Sequence, residues 1–231
     1  LAAFGQAVSA ALEQAIVQAA ASAAPRAVVL DLRGNPGGLL FEAVKVADTF
    51  LSAGEIVSLR RQEPARSRAW QSDAAELLAG VPMVVLIDGR SASASELVAD
   101  ALQYHGRAIV MGQRSYGKGS VQSTLPIGQD GGAIKLTTSL YHGPSGQTVH
   151  GTGVAPDIEL LAMPVADTFR EGPAAAGAAE STVAARRAKA RADPAQCAAP
   201  AESDRALACA MDYLRAGGVD AFLAKLAERA P

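Results

Sequence analysis

Apolar positions change their period several times along this chain. From residue 3 to 23 they recur at helical spacing, with Phe4, Val8, Leu12, Ile16 and Val17 on one face of an Ala-rich segment that Pro25 stops. The next ones run together: "AVVLDLRG", 27 to 34, predicts a short buried strand entering a Gly/Pro turn. "LLFEAVKVADTFL", 39 to 51, returns to helical spacing. "EIVSLRR" predicts a strand, "MVVLID" at 83 to 88 another buried one, residues 93 to 104 a helix, and "RAIVMG" a strand after it. The polar stretch 62 to 80, which holds Trp70, fits no element. Strands alternating with helices imply a parallel sheet covered on its faces.

The character changes from residue 121. "SVQSTLPI" and "GAIKLTTSLYHG" read as strands around the turn "GQDGG", with further turns at "PSG" and "GTGVAPD". Residues 163 to 200 are rich in Ala, Pro and small polar residues and predict a linker or a loosely packed helix, with the basic run "ARRAKARAD" as a solvated face. Leu207, Met211 and Leu214, the pair Gly217 and Gly218, and "VDAFLAKLAERA" then predict two short closing helices.

A length of 231 residues with 49% hydrophobic content suits one sizeable core. A net charge of −2 gives no footing for nucleic acid or an anionic membrane surface as a partner. No apolar run approaches the roughly 20 residues of a membrane span. The two cysteines, Cys197 and Cys209, are free thiols in a reducing compartment or a short-loop disulfide in an oxidising one.

Candidate chemistry centres on "GRSASASELV", 89 to 98. "SASE", 93 to 96, is a capping box, and most such matches only start a helix. A serine at a strand-to-helix turn nevertheless sits where free backbone N–H groups and the positive helix end can stabilise an oxyanion. A nucleophilic serine needs a base. His105 lies along the same helix, about 18 Å from Ser93, and cannot serve. His142 and His150 fall in strand and turn segments with no fixed relation to Ser93, and no GxSxG elbow surrounds these serines. Lys118 in "SYGKGSVQ", between two glycines after the strand "RAIVMG", is the other candidate. A lysine base must be neutral, which requires burial among apolar groups. "DLRGNPGG", 31 to 38, could bring backbone N–H groups close to a reacting carbonyl; it matches neither phosphate-loop pattern.

Three stretches taken together, "VVLDLRGNPGGLL", "IDGRSASASELVADALQYHGRAIVMGQRSYGKGSVQ" and "KLTTSLYHGPSGQTVHGTGVAPDI", resemble the carboxy-terminal processing peptidases, or tail-specific proteases, of the S41 serine peptidase family. The resemblance covers roughly residues 1 to 160. It implies a serine endopeptidase acting near the C-termini of protein substrates, with Ser93 as nucleophile, Lys118 as general base and Gln122 orienting the lysine. It implies an oxyanion hole made by the N–H of Ala94 and of a glycine in "NPGG", Gly37 in preference to Gly38. Ser91 and Ser95 are then structural. The implied fold is α/β, similar to the stacked ββα units of the ClpP/crotonase class, with additional β-strands and a small C-terminal helical segment. Residues 1–160 would be the peptidase core, 161–200 an Ala/Pro-rich linker and 201–231 the helical segment. No metal or cofactor is implied. The partners are protein or peptide substrates, with an adaptor protein and a homo-oligomer left open, and no nucleic acid. Family members mostly work outside the cytoplasm, as in the periplasm, which favours a Cys197–Cys209 disulfide. They usually carry a PDZ domain, often ahead of the matching core, that recognises substrate tails. One helix before the first strand cannot supply it, so this is expected to be a fragment or a core without that domain. Two rival readings are a non-proteolytic binding module on the same fold and a crotonase-like acyl-CoA enzyme, for which no CoA-binding feature is visible.

Overall fold

The computed structural model describes residues 1–60, 65, 67–73, 76–127, 131–161, 189–198 and 204–229. Five parallel strands form the central sheet: β1 (Val28–Asp31), β4 (Met83–Ile87), β5 (Ile109–Gly112), β8 (Ile158–Leu160) and β9 (Ala190–Ala192), in the order β1-β4-β5-β8-β9. The middle of this sheet is a continuous apolar run because both of its faces are covered. Met83, Val85 and Ile87 of β4 enter one hydrophobic core, and Val84 and Leu86 enter another on the opposite side.

The first core is closed by α2 (Leu40–Asp48) and α3 (Ala94–Tyr104), which contribute Ala43, Val46, Leu97, Val98 and Leu102. A second, antiparallel sheet joins it through Ile56 and Val57 of β2 (Gly54–Arg60); its order is β3-β2-β7-β6, with β3 (Arg68–Ser72), β6 (Ser120–Ile127) and β7 (Gly132–His142). β3 lies within the polar stretch that the apolar pattern left unassigned; it pairs with β2, setting Trp70 opposite Val57. This mixed α/β architecture agrees with the fold class expected from the sequence.

The second core corrects part of the linker expectation. Residues 190–192 are not a connector but the edge strand β9, followed by a 3-10 turn at Pro194–Gln196. The helices α4 (Arg205–Ala216) and α5 (Val219–Ala227) lay Ala206, Cys209, Ala210, Phe222 and Leu226 on the sheet's second face. Cys197 and Cys209 are joined in a disulfide there, both buried. The remainder of the expected linker, residues 162–188 and 199–200, lies outside the described residues.

A second correction concerns the N-terminus. Helix α1 (Val8–Ser22) starts later than the apolar period suggests, after Ala7 in a left-handed conformation (φ 61°). Phe4 therefore leaves the helical face. It is fully buried and forms a parallel bridge with Gly38, its N–H donating to Gly37 O at 2.9 Å and its carbonyl accepting from Leu39 N at 2.8 Å. Bridging a glycine loop satisfies a tertiary demand that helical periodicity does not encode. Among the described residues no helix is long and apolar enough to cross a membrane.

Candidate active site

In an open parallel sheet, the loops leaving the carboxyl ends of neighbouring strands converge. Here β1, β4 and β5 are neighbours, and their exits supply the three segments singled out in the sequence: the glycine loop, the serine turn and the lysine turn.

The serine turn follows β4. Asp88 anchors it, its Oδ1 accepting from the N–H groups of Gly34, Arg90 and Ser91 at 2.9, 2.9 and 3.0 Å. Ser91 is fully buried and donates from Oγ to Leu32 O at 2.8 Å; Ser95, also fully buried, donates from Oγ to Asn35 O at 2.9 Å. Both are structural, fastening the turn to the glycine loop. Ser93 alone of the three is partly exposed. It is the N-cap of α3 with φ 56° and ψ −116°. A non-glycine residue there carries strain of about 1–3 kcal/mol, sustained only by surroundings that fix it.

The glycine loop follows β1 and closes on this turn. A Cβ on Gly37 (φ 102°) would fall 2.7 Å from Ala92 O, 2.8 Å from Ser93 Cβ and 2.9 Å from Ala94 N, so only glycine fits against the serine. Asn35, fully buried, organises the contact: its carbonyl accepts from Ala92 N at 3.0 Å and its Oδ1 from Gly37 N at 2.9 Å. This occupies the amide preferred from the sequence as an oxyanion donor. Among the described residues, the amides of Gly38 and Ala94 donate to no protein acceptor.

The lysine turn follows β5 and meets the serine turn at Glu96. This carboxylate is fully buried in the first turn of α3. Its Oε2 accepts from Ser93 N at 2.8 Å and from Lys118 N at 2.7 Å; its Oε1 accepts from Gly117 N at 2.7 Å and Ser115 Oγ at 2.5 Å. Burial pushes the Glu96 carboxyl above its ordinary value, against the pull of these four donors. Three of the four are backbone N–H groups that can only donate, so the contacts are those of an acceptor on both oxygens. Tyr116 N donates to Ser91 O at 3.0 Å, a second tie between the turns. The Lys118 side chain, for which the sequence reading requires burial, is exposed, and so is Gln122 on β6.

The histidines stand elsewhere or at the margin. His105 ends α3 with Nε2 2.8 Å from Glu55 O. His142 lies on β7 beside β2, its pKa lowered by burial and by Arg60. His150 packs its backbone against Gly119, next to Lys118, with its side chain exposed. Sequence reasoning missed Asn35, and it read Glu96 only as a helix cap. The capping-box pattern explains the bond to Ser93 N but carries no sign of the second turn held by the same carboxylate.

Comparison with known proteins identifies the family. Residues 1–160 match the model of Peptidase family S41, and the chain belongs to that family. A carboxy-terminal-processing protease of Bartonella bacilliformis is 48% identical over 142 residues, covering 62% of this chain and 32% of that protein. A probable CtpA-like serine protease of Staphylococcus haemolyticus is 38% identical over 136 residues, covering 58% of this chain and 27% of that protein. The chain thus spans between about a quarter and a third of the length of these relatives. Among solved structures, a photosystem II D1 C-terminal processing protease superimposes with a TM-score of 0.63 at 32% identity, over 69% of this chain and 40% of that one.

Proposed function

We propose that this chain is the catalytic core of a serine endopeptidase that processes proteins near their C-termini, with Ser93 as nucleophile and Lys118 as general base. The observation that carries the reading is the shared carboxylate oxygen: Glu96 Oε2 holds the amides of both residues, so the two turns are one unit. In this reading Lys118 Nζ takes the proton of Ser93 Oγ as the oxygen attacks a peptide carbonyl. The tetrahedral oxyanion is received by the N–H groups of Ala94 and Gly38, both without protein acceptors among the described residues. The amine leaves with the proton from Lys118, and water then clears the acyl-enzyme. A polypeptide laid across Ser93 covers the exposed lysine and removes the water that favours its charged form. Gln122, four residues on, orients the amine in the covered state.

The same reading places the protein outside the cytoplasm, as in the periplasm. The Cys197–Cys209 disulfide supports this, because such bonds persist in oxidising compartments. Its partners are protein or peptide substrates.

The test is cleavage of an unfolded protein such as casein by wild type, Ser93→Ala and Lys118→Ala, with a fluorophosphonate probe applied to each. Wild type cleaves and is labelled on Ser93, while both variants keep their fold and lose activity by roughly 10⁴-fold or more. Undiminished cleavage by either variant overturns the dyad.

A further inference from the structure

We infer that Asp204 is a positioning residue for the oxyanion loop, acting through Arg33, so that the C-terminal segment beyond the S41 match is a working part of the site. The catalytic consequence rests on the proposed peptidase reading; the positioning itself does not.

Arg33 stands at the root of the glycine loop. On one side its Nε and Nη2 donate to the two oxygens of Asp31, at 2.8 and 2.5 Å. On the other its Nη1 and Nη2 donate to the two oxygens of Asp204, at 2.8 and 2.5 Å. A planar guanidinium held bidentately on two edges has no freedom to rotate. The backbone on either side of it is equally engaged. Leu32 N donates to Leu86 O at 2.9 Å and Leu32 O accepts Ser91 Oγ, while Gly34 N donates to Asp88 Oδ1 at 2.9 Å. Arg33 thus lies within the bonded stretch that leads to Gly37 and Gly38.

Asp204 is itself fixed. It is the N-cap of α4, its Oδ1 accepting from Leu207 N at 3.1 Å. That helix is pressed on the outer face of the parallel sheet by Ala206 and Ala210 and tied by the disulfide at Cys209. The second core thus holds α4, Asp204 holds Arg33, and Arg33 holds the loop. Residues 189–198 and 204–229 carry this chain of contacts, yet they lie outside the family match, which ends at residue 160.

Asp204 is open to solvent, and an ion pair with one such partner contributes little to stability, so the expected effect is on geometry more than on folding. In the full chain, Asp204→Asn keeps a good N-cap but loses the charged bidentate partner, which separates capping from positioning. Asp204→Asn and Asp204→Ala both lower kcat on casein-derived peptides by about ten-fold, with KM within about two-fold of wild type. Hydrogen exchange of the amides in 34–39 speeds up in both, and Asp204→Glu recovers part of the kcat. Wild-type kcat and unchanged exchange in Asp204→Asn and Asp204→Ala overturn the inference. If wild type neither cleaves nor labels at Ser93, the peptidase reading fails instead, and the exchange rates of 34–39 still decide whether Asp204 positions the loop.

Discussion

The loops around Ser93 and the β6–β7 hairpin leave the same molecule with opposite economies of surface. In the loops, polar groups are buried and answer one another: Asn35, Ser91, Ser95, Glu96 and Ser115 are all buried and all hydrogen-bonded. In the hairpin, residues 132–138 are exposed on both faces, and Leu125, Ile127, Ile134 and Leu136 keep 44–49% of their surface in solvent although Leu125 pairs with Ile134. The difference shows where this sequence specifies rigidity. A buried polar network holds only if every member is satisfied, so one lost acceptor is costly. The exposed stretch of this two-stranded arm has little burial to lose.

The largest effect should come from the centre of the network. Glu96→Gln replaces an acceptor oxygen with a donor amide facing backbone N–H groups. It should destabilise the fold by about 1–3 kcal/mol and lower casein cleavage by about 100-fold, read by urea denaturation and initial rates; wild-type values in both would remove Glu96 from its joining role. Next is Gly37→Ala, which forces a Cβ against Ser93 and Ala94. It should cost about 1–3 kcal/mol of stability and slow fluorophosphonate labelling of Ser93; unaltered labelling would mean the loop gives way freely. A smaller effect follows from acid. Asp31 is held below its ordinary value although burial alone would raise it, because Arg33 donates to it, and Asp204 is held low chiefly by its bond from Arg33. Their contribution is present above the unfolded value of 3.8 and is lost as the pH falls through their lowered values. Wild type should therefore lose stability faster than Asp204→Asn below about pH 4, and parallel curves would show that Asp204 carries no such linkage. The smallest effect belongs to the arm: Ile134→Ser and Leu136→Ser should change stability by no more than about 0.5 kcal/mol, and a larger loss would place a packed partner on the hairpin.

Much of this was legible in the chain. The apolar run of β4 announced a strand buried on both sides, and α3 began where the capping box placed it. The tight approach of a glycine loop to the serine turn was also foreseen. The engagement of one of the two glycine amides was not: the side chain of Asn35, two residues before Gly37, accepts from the N–H of Gly37. The arginine of "DLRG" had no role legible in the sequence; its second partner, Asp204, stands 171 residues away.

The sequence by itself determined the elements and the chemistry available to them. Period and caps are local properties, and residue types such as a serine at a helix start or a lysine between glycines are read directly. Only the tertiary structure decided what those residues touch. Sheet order made β1, β4 and β5 neighbours, and burial turned a helix-capping glutamate into the joint between two turns. The second core made the C-terminal segment a wall of the sheet rather than a tether. Such contacts depend on distances between residues far apart in the chain, which local propensity and spacing do not carry.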